Sequence, residues 1–203
     1  MIGYFGKIPG HGDFVSRALP PDLVAAWDEW LQQCMLASRQ QLGERWLTQY
    51  LTSPVWRFAI APGILGPEGL GGVVMPSVDR VGRYFPLMLG ATGAPALLDW
   101  FRKHAAWYDA AETLALAALD PGFSLAQFDA APEPGVASIA PVAPVGGVWR
   151  IPADPDVDAR VLAAALQGRS LWWTAGPPEA EAGASFLMCE GMPQPQAFAA
   201  MLD

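Results

Sequence analysis

Two cysteines, two histidines and 12 basic residues against 20 acidic ones are the scarce features of this 203-residue chain. Cys34 and Cys189 cannot build a disulfide framework and form no CxxC pair, which points to a reduced, cytoplasmic setting. His11 and His104 belong to no HxxE or HExxH arrangement, so neither a metal centre nor a cofactor is expected. Ser16, Ser53, Ser77 and Ser170 all sit outside a GxSxG elbow, and two histidines leave little choice of base. The net charge of −8 argues against nucleic acid or an anionic membrane surface as partner. Long apolar runs are missing too. Stretches such as "YFPLMLGATGAPALL" at 84–98 are broken by Pro and Gly, so no membrane insertion is expected. Residues 1–20 show neither a basic n-region nor a continuous apolar segment, so no secretory signal is read there.

What the chain does have is apolar bulk. A hydrophobic fraction of 52% with 16% charged residues reads as globular, most simply one domain over 1–203. Nine tryptophans are core anchors first, although Trp also favours interfaces. The charge is uneven: residues 1–103 carry nine Lys/Arg and eight Asp/Glu, whereas 104–203 carry three and twelve.

Residues 2–6 read as a short strand, and a long helix follows Pro20 and Pro21. Leu23, Trp27, Trp30, Leu31, Cys34 and Met35 recur at spacings of three and four, which places them on one helix face. The pattern resumes through Trp46, Tyr50 and Leu51 after Gly43, and Ser53–Pro54 stops it. Strands are read at 55–63, in "GGVVMPS" and in "YFPLMLGAT". A second long helix is expected from Pro95 to Leu119, and a Pro/Ala/Gly-rich internal loop at about 130–147. The last third gives a strand around Trp149, a helix at 157–167, strands "SLWWTA" and "SFLMCEG", and a terminal helix "PQAFAAML". Strands come in groups between helices, which predicts an α/β fold with a mixed or largely antiparallel sheet flanked by helices. The face carrying Trp27 should pack on the sheet formed partly by 55–61 and 84–91.

Two glycine-containing stretches concentrate the polar residues. "GKIPGHGD" fails as a phosphate loop, because its Gly-Lys precedes the turn and Pro9 removes a backbone N–H. Composition favours a scaffold role, with glycines making turns and charged side chains holding the loops. Opposite charges in the two stretches would also let them meet as one polar patch of Lys7, Asp13, Arg17, Asp79, Arg80 and Arg83. Such a patch serves either as an interaction or loop-scaffold surface, or as the site of a small-molecule-binding or hydrolytic domain.

"GYFGKIPGHGDFVSR" at 3–17 and "PSVDRVGRYFPL" at 76–87 resemble the signature segments of the TagF (ImpM-like) family, accessory proteins of bacterial type VI secretion. The first carries the family's aromatic pair, Gly-Lys, Pro, Gly-Asp-Phe and following Arg. The second carries its Ser-x-Asp-x-x-Gly-Arg-x-Phe-Pro pattern. "LWW" at 171–173 and "GMPQPQAF" at 191–198 are similar to weaker C-terminal features of the family. The resemblance implies an α/β sandwich and a cytoplasmic, non-enzymatic regulator that restrains assembly after translation. It implies a forkhead-associated (FHA) domain scaffold protein as partner, and it brings no catalytic residues. The oligomeric state stays open.

Overall fold

The computed structural model describes residues 2–93, 97–130, 133–134, 151, 157–175 and 185–202. Seven strands form one sheet: β1 (Gly3–Gly6), β2 (Val15–Arg17), β3 (Trp56–Ile60), β4 (Gly69–Met75), β5 (Leu87–Gly93), β6 (Arg169–Thr174) and β7 (Phe186–Glu190). Their order is β2-β1-β5-β4-β3-β6-β7, and every neighbouring pair is antiparallel. The described helices are α1 (Pro21–Leu42), α2 (Trp46–Thr52), α3 (Leu97–Lys103), α4 (Ala105–Ala117), α5 (Val157–Ala165) and α6 (Phe198–Met201).

Side-chain alternation along the strands divides the core in two. Phe5, Trp56, Phe58, Ile60, Leu70, Val74, Met88 and Trp172 face α1, α2 and α6. Their neighbours Tyr4, Ala59, Val73, Met75, Leu87, Leu89, Leu171 and Trp173 face α3, α4 and a 3₁₀ turn at Leu125–Ala130. The result is an α/β sandwich whose central strands are buried on both faces, while β7 at one edge is largely exposed. That is why β3 and β4 read as near-continuous apolar runs instead of alternating ones.

Aromatic rings fill the α1 side. Trp27 is wholly buried, with ring centroids 5.1 Å from Trp30, 4.9 Å from Phe58 and 6.2 Å from Trp172. The indole N–H of Trp30 donates to Pro193 O at 2.8 Å, and that of Trp56 donates to Met201 O at 2.7 Å. Two tryptophans from separate elements thereby pin the C-terminal segment. On the opposite side Trp100 of α3 approaches so closely that Gly71 has no room for a side chain. A Cβ there would lie 2.5 Å from the Trp100 ring.

Three local readings differ from the structure. The stretch read as one helix to Leu119 is two, because His104 leaves helical geometry (φ −114°, ψ 24°) and its carbonyl starts α4 by accepting Tyr108 N–H. No Gly or Pro marks that break, so apolar spacing runs straight through it. Its expected first residue, Pro95, lies outside the described residues. No strand is read at 15–17, where β2 forms, since three residues leave no alternation to detect. Leu51 is exposed although Trp46 and Tyr50 are buried, so α2 faces inward along a narrower stripe than expected. The strand read around Trp149 and most of the 130–147 stretch fall outside the described residues.

Replacing Trp27 with alanine removes the ring that Trp30, Phe58 and Trp172 all touch. We expect a loss of about 3–5 kcal/mol in denaturant unfolding. A loss below about 1 kcal/mol, the range of surface substitutions, would contradict this packing.

Candidate functional site: one carboxylate between two loops

Sheet order brings the two glycine-containing loops together. β5 lies between β1 and β4, with Phe5 opposite Met88 and Met75 opposite Leu87. The loop leaving β1 and the loop joining β4 to β5 therefore emerge side by side. Asp79 occupies their junction with a fully buried side chain.

Both Asp79 oxygens are occupied. Oδ2 accepts from Lys7 Nζ at 3.0 Å and Arg83 Nε at 2.6 Å. Oδ1 accepts the backbone N–H groups of Val81 at 3.0 Å and Arg83 at 2.9 Å. The backbone turn closes through Gly82 N–H to Asp79 O at 3.0 Å, and Gly82 supplies the left-handed geometry (φ +86°) that most residues resist. Burial alone pushes the Asp79 pKa up. The Arg83 N–H, the Lys7 ammonium, the Arg83 guanidinium and the Val81 N–H outweigh it and hold the carboxyl well below the usual carboxylate range.

Further bonds carry the clasp into both loops. Arg83 Nη2 donates to Gly12 O at 2.6 Å, and Arg80 N–H donates to His11 O at 2.9 Å. Ser77 Oγ donates to Lys7 O at 2.6 Å. Beneath them the Tyr50 hydroxyl from α2 donates to Ser77 O at 2.9 Å and accepts Ser77 N–H at 3.0 Å. The Lys7 ammonium lies 5.0 Å from the centre of the Phe14 ring, which stacks on Phe5 and meets Phe85 edge-on. What reaches solvent above this network is the Arg80 side chain, Val81, part of Arg83 and part of Phe14.

The six patch residues named from sequence therefore separate. Lys7, Asp79 and Arg83 form one network, and Arg80 lies over Gly12 at its rim, where a Cβ would sit 3.3 Å from Arg80 Nη2. Asp13 is exposed, and its carboxylate accepts the N–H of Phe14 at 2.8 Å. Arg17 is a correction. β2 directs it to the other sheet face, where it pairs with Asp129 at 2.8 Å. Sequence reasoning missed Tyr50, whose position in an apolar helix stripe reads as packing alone. It also missed Arg57 on β3, which is buried and bridges Asp109 and Glu112 of α4 at 2.8 and 2.7 Å. An arginine inside an apolar strand, with two acids three residues apart on a helix, is the signal that would have found this bridge. Among the described residues no group of three or more His, Cys, Asp or Glu is placed to hold a metal ion. No described helix is long and apolar enough to cross a membrane.

An antiparallel α/β sandwich that presents two clasped loops is the class this geometry defines. The chain belongs to the TagF N-terminal domain family, which is associated with the type VI secretion system: the family model matches residues 3–133, a span containing both loops. A solved structure, that of PA0076 from Pseudomonas aeruginosa PAO1, is 38% identical, with a TM-score of 0.87. That likeness covers 100% of this chain and 94% of the other. No curated protein matches the chain.

Asp79→Asn would leave Lys7 buried without its counter-charge. Because the folded pKa is depressed, the stabilisation is present above the unfolded-state value of about 3.9 and fades as pH falls below it. Thermal unfolding should show wild type well above the variant at neutral pH, with the gap closing under acid. A gap that stays constant down to acid unfolding would contradict the charge-based clasp.

Proposed function

We propose that this protein is a cytoplasmic, non-enzymatic regulator of bacterial type VI secretion. It binds an FHA-domain scaffold protein in a stoichiometric complex and so restrains assembly of the machine after translation. Membership of a family associated with that system supports the setting. The observation that carries the binding reading is the commitment of Asp79: four donors hold it ionised, as a strut and not as a proton donor. The loops it fixes present a cation, Arg80, beside the exposed apolar side chains Val81 and Phe14. A rigid surface of this kind is suited to recognition, since little ordering entropy is lost when a partner docks. The acidic second half of the chain would steer a basic region of the scaffold, with association slowing as salt rises.

In the competing reading, a small-molecule-binding or hydrolytic domain, the hydrolytic form would use a carboxylate poised near neutral pH. Asp79 is shifted the opposite way.

Arg80→Glu is the informative variant, because Arg83 also holds Asp79 and its loss would confound stability with binding. We expect about tenfold weaker binding to the purified FHA-domain protein, with the melting temperature almost unchanged. Undiminished binding would move the interface elsewhere. Turnover of a substrate that disappears in Asp79→Asn while scaffold binding persists would replace this proposal with the enzymatic one.

A further inference from the structure

At the β2 edge of the sheet a groove of about 340 Å³ runs between β2 and α1. Phe5, Leu19, Val24 and Ala25 give it an apolar wall, with Ser16 and Asp28 at its margins. Asp28 is half-buried. Its Oδ2 accepts from Gln32 at 2.7 Å, and its negative charge lies at the groove. β2 pairs with β1 alone, so its outer backbone groups have no strand beside them among the described residues. We propose that the β2 edge and this groove together receive an extended segment of a partner protein, which adds an eighth strand and sets a basic side chain against Asp28.

Strand geometry ties the two features together. Ser16 lies opposite Phe5, which faces α1, so Ser16 faces the groove while Val15 and Arg17 face the other side of the sheet. A residue paired with Ser16 on an added strand would point into the groove as well. Main-chain bonds along the edge would supply affinity, and the pocket beneath would read one side chain, as in other strand-addition complexes. The chemistry selects that side chain. The half-buried carboxylate at the groove's margin carries a negative charge that favours Arg or Lys, and the apolar wall suits the methylene stem of either.

A second copy of this chain fits poorly. Two-fold pairing of β2 about Ser16 would place a serine in each groove, with Arg17 directed to the opposite face. It would also bring together two chains of net charge −8. The inference does not rest on the scaffold reading, since it is argued from the β2 edge and Asp28 and not from Arg80.

The test is selection of displayed random dodecapeptides on the immobilised full chain, repeated with Ala25→Trp, which fills the groove from an exposed position, and with Asp28→Lys. We expect recovered peptides to carry Arg or Lys within an alternating apolar stretch. Each substitution should weaken their binding about tenfold or more, the scale of a charge-assisted hydrogen bond. Bound peptide should also slow amide exchange at 15–17. Failure to recover peptides, recovery of acidic ones, binding indifferent to both substitutions, or protection confined to other elements would overturn the proposal. So would concentration-dependent dimerisation that Ala25→Trp abolishes, which would make a second copy the occupant.

Discussion

The ion pair between Lys7 and the buried Asp79 carboxylate is the constraint on which the rest of the loop face depends. A lysine that is itself buried, reaching 3.0 Å across from a different strand connection, cannot be accommodated without this acceptor. Asp79 in turn keeps its charge because two backbone N–H groups and Arg83 complete its shell. Neutral substitutes of similar shape would fill the space, but they would not gather donors from both loops at one point. The same bonds that fix the loops also leave Arg80 and Val81 projecting, so local order and exposed chemistry have one cause.

Beneath that face the sheet acts as a rigid platform. Its central strands are buried on both surfaces, and the α1 side is filled by close-packed indole and phenyl rings. Tyr50 links this core to the clasp, because its ring stacks on Trp46 at 4.9 Å while its hydroxyl holds Ser77. Burial pushes the Tyr50 phenol pKa up, so it remains a neutral donor at any physiological pH. Arg57 joins the sheet to α4 on the other side, again through buried charge with satisfied partners. Lys7, Asp79 and Arg57 are thus buried charges that join elements which apolar packing alone would leave free to slide.

Much of this was legible before any coordinates. The spacing of Leu23, Trp27, Trp30 and Leu31 is enough to orient α1, and the apolar runs at 55–63 and 84–92 locate two central strands. The loops were recognisable because Gly, Asp and Arg cluster there without helical or strand periodicity. Pairing was harder to read. Nothing in sequence says that Arg17 meets Asp129, because the partner depends on which face of a three-residue strand it occupies. The break at His104 has no Gly or Pro to announce it, and the role of Tyr50 depends on its hydroxyl reaching a loop 27 residues away. Local chemistry was visible; the long-range partners had to come from the packed chain.

The most direct measurement is an NMR titration of the Asp79 side-chain carboxyl carbon in the intact protein. An ionised strut held by Lys7, Arg83 and two amides predicts a shift that stays flat as pH falls through the ordinary aspartate midpoint of about 3.9, moving only with acid unfolding. A midpoint at that ordinary value, in a chain still folded, would contradict the claim that this carboxylate holds the two loops together.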